Sequence, residues 1–141
     1  MAGRFTMADR YLPDDPREWL NRARSNLTLA KSTSDAPVYF EDLCFNAQQA
    51  AEKAIKAVCI FHTIPYPYVH DLAALVTHLM TNGVDVPESV KESAKLTRFA
   101  IATRYPHVLA PVTRNEYLRA VAIAEAVIDW CDSEIHGKNR G

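Results

Sequence analysis

The amino-acid sequence predicts an all-α domain, a five-helix up-and-down bundle. Three observations predict it. Apolar residues recur at three- and four-residue steps through most of the 141-residue chain, which gathers them on one side of an α-helix. No stretch alternates apolar and polar residues at period two over a useful length, and no hairpin dipeptide joins such runs. The breaks between periodic stretches are short and hold Pro, Gly, Asn or Asp, and short connections favour antiparallel neighbours.

Residues 14–136 are expected to form the domain, with 1–13 a flexible lead-in and 137–141 a disordered tail. Asp14, Asp15 and Pro16 open the first helix: a carboxylate near the cap, then Pro at the first helical position. It runs to about Ser32. Leu20, Ala23, Leu27 and Ala30 form its inward stripe, Trp19 flanks that stripe, and Arg17, Arg22 and Arg24 point elsewhere. Thr33 to Pro37 is a connector, with Asp35 as the cap and Pro37 opening the second helix.

The second helix, through Tyr39 to His62, organises the rest. Phe40, Leu43, Ala47, Ala50, Ala51, Ala54, Val58 and Phe61 share one wide apolar stripe, and the alanines favour helix and close approach of neighbours. A second line holds Phe45, Gln49, Glu52, Lys56 and Cys59. A plain surface helix would be uniformly charged there. An aromatic, an amide and an opposite-charge pair predict instead that this face meets another helix or a polar ligand.

Pro65 and Pro67 end the second helix, because each removes an amide donor and disfavours helix in the residue before it. The third helix spans about His70 to Met80 with Asp71 in its first turn, and Asn82-Gly83 stops it. The fourth runs from about Pro87 to Thr103 with a less regular pattern: Val90, Ala94, Thr97 and Ile101 on one line, Leu96, Phe99, Ala100 and Thr103 on another. Thr113 and Glu116 have capping-box spacing and open the fifth helix, which reaches about Ile135. It is apolar on two sides, so it belongs at the bundle centre or against a partner subunit.

Charge and composition exclude several classes. A net charge of −1 gives no global attraction to nucleic acid or anionic membrane, so binding to either needs a local patch. No apolar run reaches the ~18–20 residues of a membrane span, and the first fifteen residues hold no signal-like apolar segment. The chain therefore reads as cytoplasmic. Cys44, Cys59 and Cys131 lie inside helical patterns and read as reduced core cysteines. There is no CxxC, and His62, His78 and His136 lack ligand spacing, so neither a metal nor a cofactor is expected. A Gly-rich phosphate loop, a Ser elbow and GxGxxG are all lacking.

Several landmarks occur in one order: Asp15-Pro16, Trp19-Leu20 and Ala23-Arg24, then FNAQQAAEKAIKAV, then His70-Asp71-Leu72, then Arg104-Tyr105-Pro106. Together they resemble the HEPN domain over roughly residues 14–136. The resemblance implies an all-α bundle that usually forms homodimers, in a prokaryotic cytosol. Small members are commonly encoded beside a minimal nucleotidyltransferase, as two-gene toxin–antitoxin modules. Many members are metal-independent ribonucleases that use an Arg followed four to six residues later by a His, meeting across the dimer cleft. Here Arg98 is followed by Phe99 and its next His is too distant, while His107 lies too close to Arg104. The usual cleavage motif is thus absent, and what remains is the Arg-Tyr-Pro variant of the nucleotide-binding branch.

Two candidate sites follow. Metal-free RNA cleavage needs an acid or base near neutral pKa and a cation for the transition state, which His107 and Arg104 would supply. Nucleotide or partner binding would use Asn46, Gln49, Glu52, Lys53 and Lys56, with Arg104 again. Against these stand plainer roles: a solvated helix face with Gln48 and local ion pairs, Asn46 tying the second helix to a loop, His70-Asp71 capping the third helix, and Tyr66 and Tyr68 in a packed turn. The functional readings are a dimeric nucleotide- or partner-binding module beside a nucleotidyltransferase, a ribonuclease toxin, or a helical scaffold.

Overall fold

The computed structural model describes residues 3–32, 37–66, 71–102 and 111–137. All regular structure among them is helical, arranged as an up-and-down bundle of five rods. The first three are α1 (Pro16–Ala30), α2 (Phe40–Phe61) and α3 (Leu72–Thr81). The fourth consists of α4 (Glu88–Lys91), a 3-10 segment (Glu92–Leu96) and α5 (Arg98–Ala102), and the fifth is α6 (Arg114–His136).

Local chemistry sets most of the ends. Asp15 caps α1 by accepting the Arg17 N–H at 2.8 Å, with Pro16 at the first helical position. Asp71 caps α3 through the N–H groups of Ala73 and Ala74. Thr113 and Glu116 close a reciprocal capping box on α6, each holding the other's backbone N–H at 3.1 Å. Gly83 follows α3 at φ +88°, a conformation that other residues rarely take.

Helix α2 is the centre. It packs along α1 on one side and α6 on the other, and α1 also meets α6. Ala47, Ala50, Ala51, Ala54 and Ala57 are fully buried, which lets the flanking helices approach closely. Pro37, expected to open this helix, lies before it, as does Asp35, which is outside the described residues. The helix begins at Phe40, where the ring stacks on Tyr117 of α6 at 5.1 Å. Phe61, expected on the inward stripe, is 37% exposed at the last turn.

The fourth rod departs from regular α-helix for a physical reason. Its fully covered residues are Val90, Ser93, Leu96 and Phe99, one every third position. A 3-10 helix has 3.0 residues per turn, so residues three apart eclipse on one face. The middle of the rod adopts that winding and keeps all four inside. Ile101, expected on an apolar line, is exposed. Thr97 serves a tertiary contact instead, its hydroxyl accepting the Leu72 N–H at the start of α3, at 3.1 Å.

Residues 3–15 lie along α1. A short 3-10 turn (Met7–Asp9) is held by a Thr6–Asp9 capping box. The Asn21 amide donates to the Asp9 carbonyl at 2.9 Å, the Tyr11 N–H donates to Glu18 at 3.0 Å, and the Arg17 guanidinium sits 4.1 Å from the Tyr11 ring centre. Among the described residues no helix is long and apolar enough to cross a membrane.

Candidate functional site

The polar side chains of α2 fall into two systems, and the second line contributes Glu52 and Lys56 to the first of them. One is internal. Gln48, Glu52 and Lys56 are spaced four apart, so they stack on one helix face. The Gln48 amide donates to Glu52 Oε1 at 2.9 Å and Lys56 Nζ donates to Glu52 Oε2 at 3.0 Å. Both charged residues are almost wholly covered, at 4% and 7% exposure. The Lys56 ammonium also lies 5.4 Å from the Tyr66 ring centre and 6.0 Å from that of Trp19, and those two rings meet edge to face. Burial of an ion pair costs desolvation, and here the carboxylate, an amide and two ring faces offset it. Glu52 and Lys56 are thereby committed to one another, and Gln49 donates to Gln48 at 2.8 Å.

The other system faces α1. Lys53 Nζ donates to Asn26 Oδ1 at 2.7 Å, Asn26 Nδ2 donates to Asn46 Oδ1 at 3.0 Å, and Asn46 Nδ2 donates to the Asp42 carbonyl at 3.3 Å. Asn46, expected to tie the helix to a loop, thus ties it to another helix. Lys53 is half-buried, and no carboxylate lies within ion-pair distance of it among the described residues. Burial, then the nearby Arg22 charge, holds its pKa below the usual lysine value.

Arg22, Glu18 and Trp19 complete the neighbourhood. Glu18 accepts the Tyr11 N–H with one oxygen and Arg22 Nε at 2.9 Å with the other. The Tyr11 N–H, with Arg22 behind it, holds its carboxyl below the usual range against the opposing effect of burial. With Pro13 and Lys53 these residues line a cleft of about 260 Å³. The apolar stripe of α1 points Arg22 away and makes Trp19 a flank, so neither stands out as a site residue from periodicity. The signal that places them is the Glu18–Arg22 spacing of four, one residue from a tryptophan.

Arg104, His107, His70 and Tyr68 lie outside the described residues. Other polar links are structural. Arg24 pairs with Asp132 at 2.9 Å, Lys31 with Glu125 at 3.4 Å, and the Tyr117 hydroxyl donates to the Ala30 carbonyl at 2.6 Å, all joining α1 to α6. The three cysteines are unbridged and buried. Burial pushes the Cys44 thiol up to about 12 and the Cys59 thiol up to about 11, with Cys131 also raised, so none supplies a thiolate near neutral pH. Among the described residues no group of three or more His, Cys, Asp or Glu side chains is placed to hold a metal ion.

This all-α core, with its polar-striped central helix, matches the HEPN domain model over residues 16–135, and the chain belongs to the HEPN family. A solved relative is TT1696 from Thermus thermophilus. It is 33% identical, with 84% of this chain and 97% of that chain aligned and a TM-score of 0.73. No protein with a curated description matches.

Proposed function

We propose that this HEPN chain is a binding module, the HEPN half of a two-gene nucleotidyltransferase/HEPN system in the cytoplasm, and that it works as a homodimer. Its polar face on α2 recognises an anionic group, a nucleotide or an acidic stretch of its partner. The observation that carries this reading is Lys53: a half-buried ammonium held by the neutral Asn26 amide, beside a second cation, Arg22. A half-buried cation with no carboxylate in ion-pair contact favours an anion from outside. Gln49 and Asn46 lie on the same side of α2 and extend the polar row, and Arg104, outside the described residues, is proposed to join them. Glu52 and Lys56, turned inward, act by holding the walls in place.

Light scattering tests the assembly, with twice the chain mass of 15.8 kDa expected at micromolar concentration. Calorimetric titration with ATP tests the anion site, with saturable heat that weakens as salt rises. A monomer without heat would leave only a scaffold. Metal-free cleavage of structured RNA, lost in His107→Ala, would instead make Arg104 and His107 the working pair.

A further inference from the structure

Residues 3–14 lie against the side of α1 that faces away from its apolar stripe, and all of them are exposed. Met7 is 81% exposed and Leu12 74%. Burial of apolar surface, the main attraction between packed elements, does not hold this segment down.

We propose that residues 3–13 are a strap: they close over α1 and swing free of it as one piece, on the Leu12–Asp15 turn, while the bundle stays folded.

The strap has its own local order. The Thr6 N–H and hydroxyl donate to Asp9 Oδ2 at 2.8 and 2.9 Å, and the Arg10 N–H donates to the Met7 carbonyl at 3.3 Å. These bonds close within four residues and make no use of α1. The hinge is equally local. The Asp15 N–H donates to the Leu12 carbonyl at 2.9 Å, and Pro13 inside that turn has its φ fixed by its ring. Asp15 is also the cap of α1, so the helix begins directly after the hinge and stays behind.

Few contacts cross to α1. The Asn21 amide donates to the Asp9 carbonyl at 2.9 Å, the Tyr11 N–H donates to Glu18 Oε1 at 3.0 Å, and the Arg17 guanidinium lies 4.1 Å from the Tyr11 ring centre. Phe5 lines a hollow of about 100 Å³ with Asn21, Arg22 and Ser25, and is itself 41% exposed. Hydrogen bonds exchanged with water contribute little each, whereas ordering costs entropy at every residue of the strap. Segments with few buried apolar contacts open well below the free energy of global unfolding.

Opening changes the face beneath. Glu18, 6% exposed, loses the Tyr11 N–H, keeps Arg22 and meets water. Pro13, in the hinge, is one wall of the cleft that holds Trp19 and Lys53, so the strap sets how wide that cleft stands. It acts as a closure on this side of the bundle whether or not the cleft takes a ligand.

Trypsin reads the opening, because cleavage follows the population of the opened form. The full chain is digested in native buffer, and the bond after Arg10 is compared with those after Arg24 in α1 and Arg119 in α6. The Arg10 bond is expected to be cut at least about a hundredfold faster than the two helical ones. Asn21→Ala removes the latch to Asp9 and puts a stronger helix former into α1. It should speed the Arg10 cut about fivefold, with the urea midpoint unchanged or raised. Hydrogen exchange at the Tyr11 amide should accelerate by the same factor, and exchange in α2 should not. An Arg10 bond as resistant as that after Arg24 would make residues 3–13 a fixed part of the bundle and overturn the strap. A native cut as fast as that of an unfolded peptide of the same sequence would overturn it too, since nothing would then close. So would cleavage and exchange that ignore Asn21→Ala, because the latch to α1 would then be absent.

Discussion

Lys56 Nζ stands 3.0 Å from Glu52 Oε2 one helical turn away, inside the bundle rather than on its surface. At an exposed site this i,i+4 pair would be worth ~0.2–0.5 kcal/mol. Covered by Trp19 and Tyr66, it has a different energetic character. Deleting one partner strands a buried charge, whereas deleting both does not.

Lys56→Met should therefore lower unfolding stability by about 3 kcal/mol, read as a fall in the urea midpoint at unchanged slope. Combining it with Glu52→Gln should recover more than half of that loss. The double variant is the informative one, because its recovery measures coupling rather than packing. Additive losses would mean that the two charges act independently.

The cysteines yield a kinetic prediction. Cys44, Cys59 and Cys131 are fully covered, and burial raises all three thiols. Native protein at pH 8 should react with a disulfide reagent only as fast as it opens, and all three thiols should react at once in denaturant. Rapid labelling of one thiol in the native state would show that its helix is not packed as described.

What is legible in the sequence differs residue by residue. Asp15-Pro16, Asp71 and the Thr113–Glu116 box announce helix starts because capping is local chemistry, complete within four residues. The alanines of α2 announce the central helix for the same kind of reason: they pack closely whatever lies opposite. Glu52 and Lys56 show in the sequence on a line of mixed character with Phe45, Gln49 and Cys59, which leaves Gln48 out, and the burial of the Gln48–Glu52–Lys56 ladder depends on Trp19 and Tyr66 arriving from other elements. Lys53 belongs to the candidate face, while its partner Asn26 and the neighbouring Arg22 lie on α1 at spacings no local rule relates. The fourth rod misleads because a period of 3.6 splits its apolar residues between two lines and leaves Ser93 on neither. Its true period is three, set by the fit of Val90, Ser93, Leu96 and Phe99 against the core.

That fit makes Ser93 a test. Its hydroxyl oxygen is buried with no hydrogen-bond partner among the described residues. A buried hydroxyl without a partner costs ~1–3 kcal/mol. Ser93→Ala removes the oxygen and keeps the small side chain that the 3-10 winding allows there. The variant should be more stable by about 1 kcal/mol, seen as a raised urea midpoint. A loss of stability would mean that the hydroxyl is satisfied after all.

Acid sensitivity should concentrate at the junction of α5 and α6. Glu116 accepts the Thr113 N–H and, at 3.0 Å, an Arg98 guanidinium hydrogen, and these, the backbone bond foremost, hold its carboxyl down to about 2. Its folded pKa lies below its unfolded value near 4.5. The folded state therefore binds this proton less readily, and the stabilisation is complete above about pH 4.5 and lost as pH falls toward 2. Asp15, held down chiefly by the Arg17 hydrogen bond, and Glu18, held down chiefly by the Tyr11 N–H, act in the same direction. Urea midpoints should hold from pH 6 to about pH 5 and fall from there to pH 2. In Glu116→Gln the starting value should be lower and the fall shallower, because the amide still accepts from Thr113 but no longer titrates or pairs with Arg98. The two curves should converge near pH 2. Parallel curves would assign the acid sensitivity to other carboxylates and leave the Arg98–Glu116 contact without a role in holding the broken fourth rod to α6.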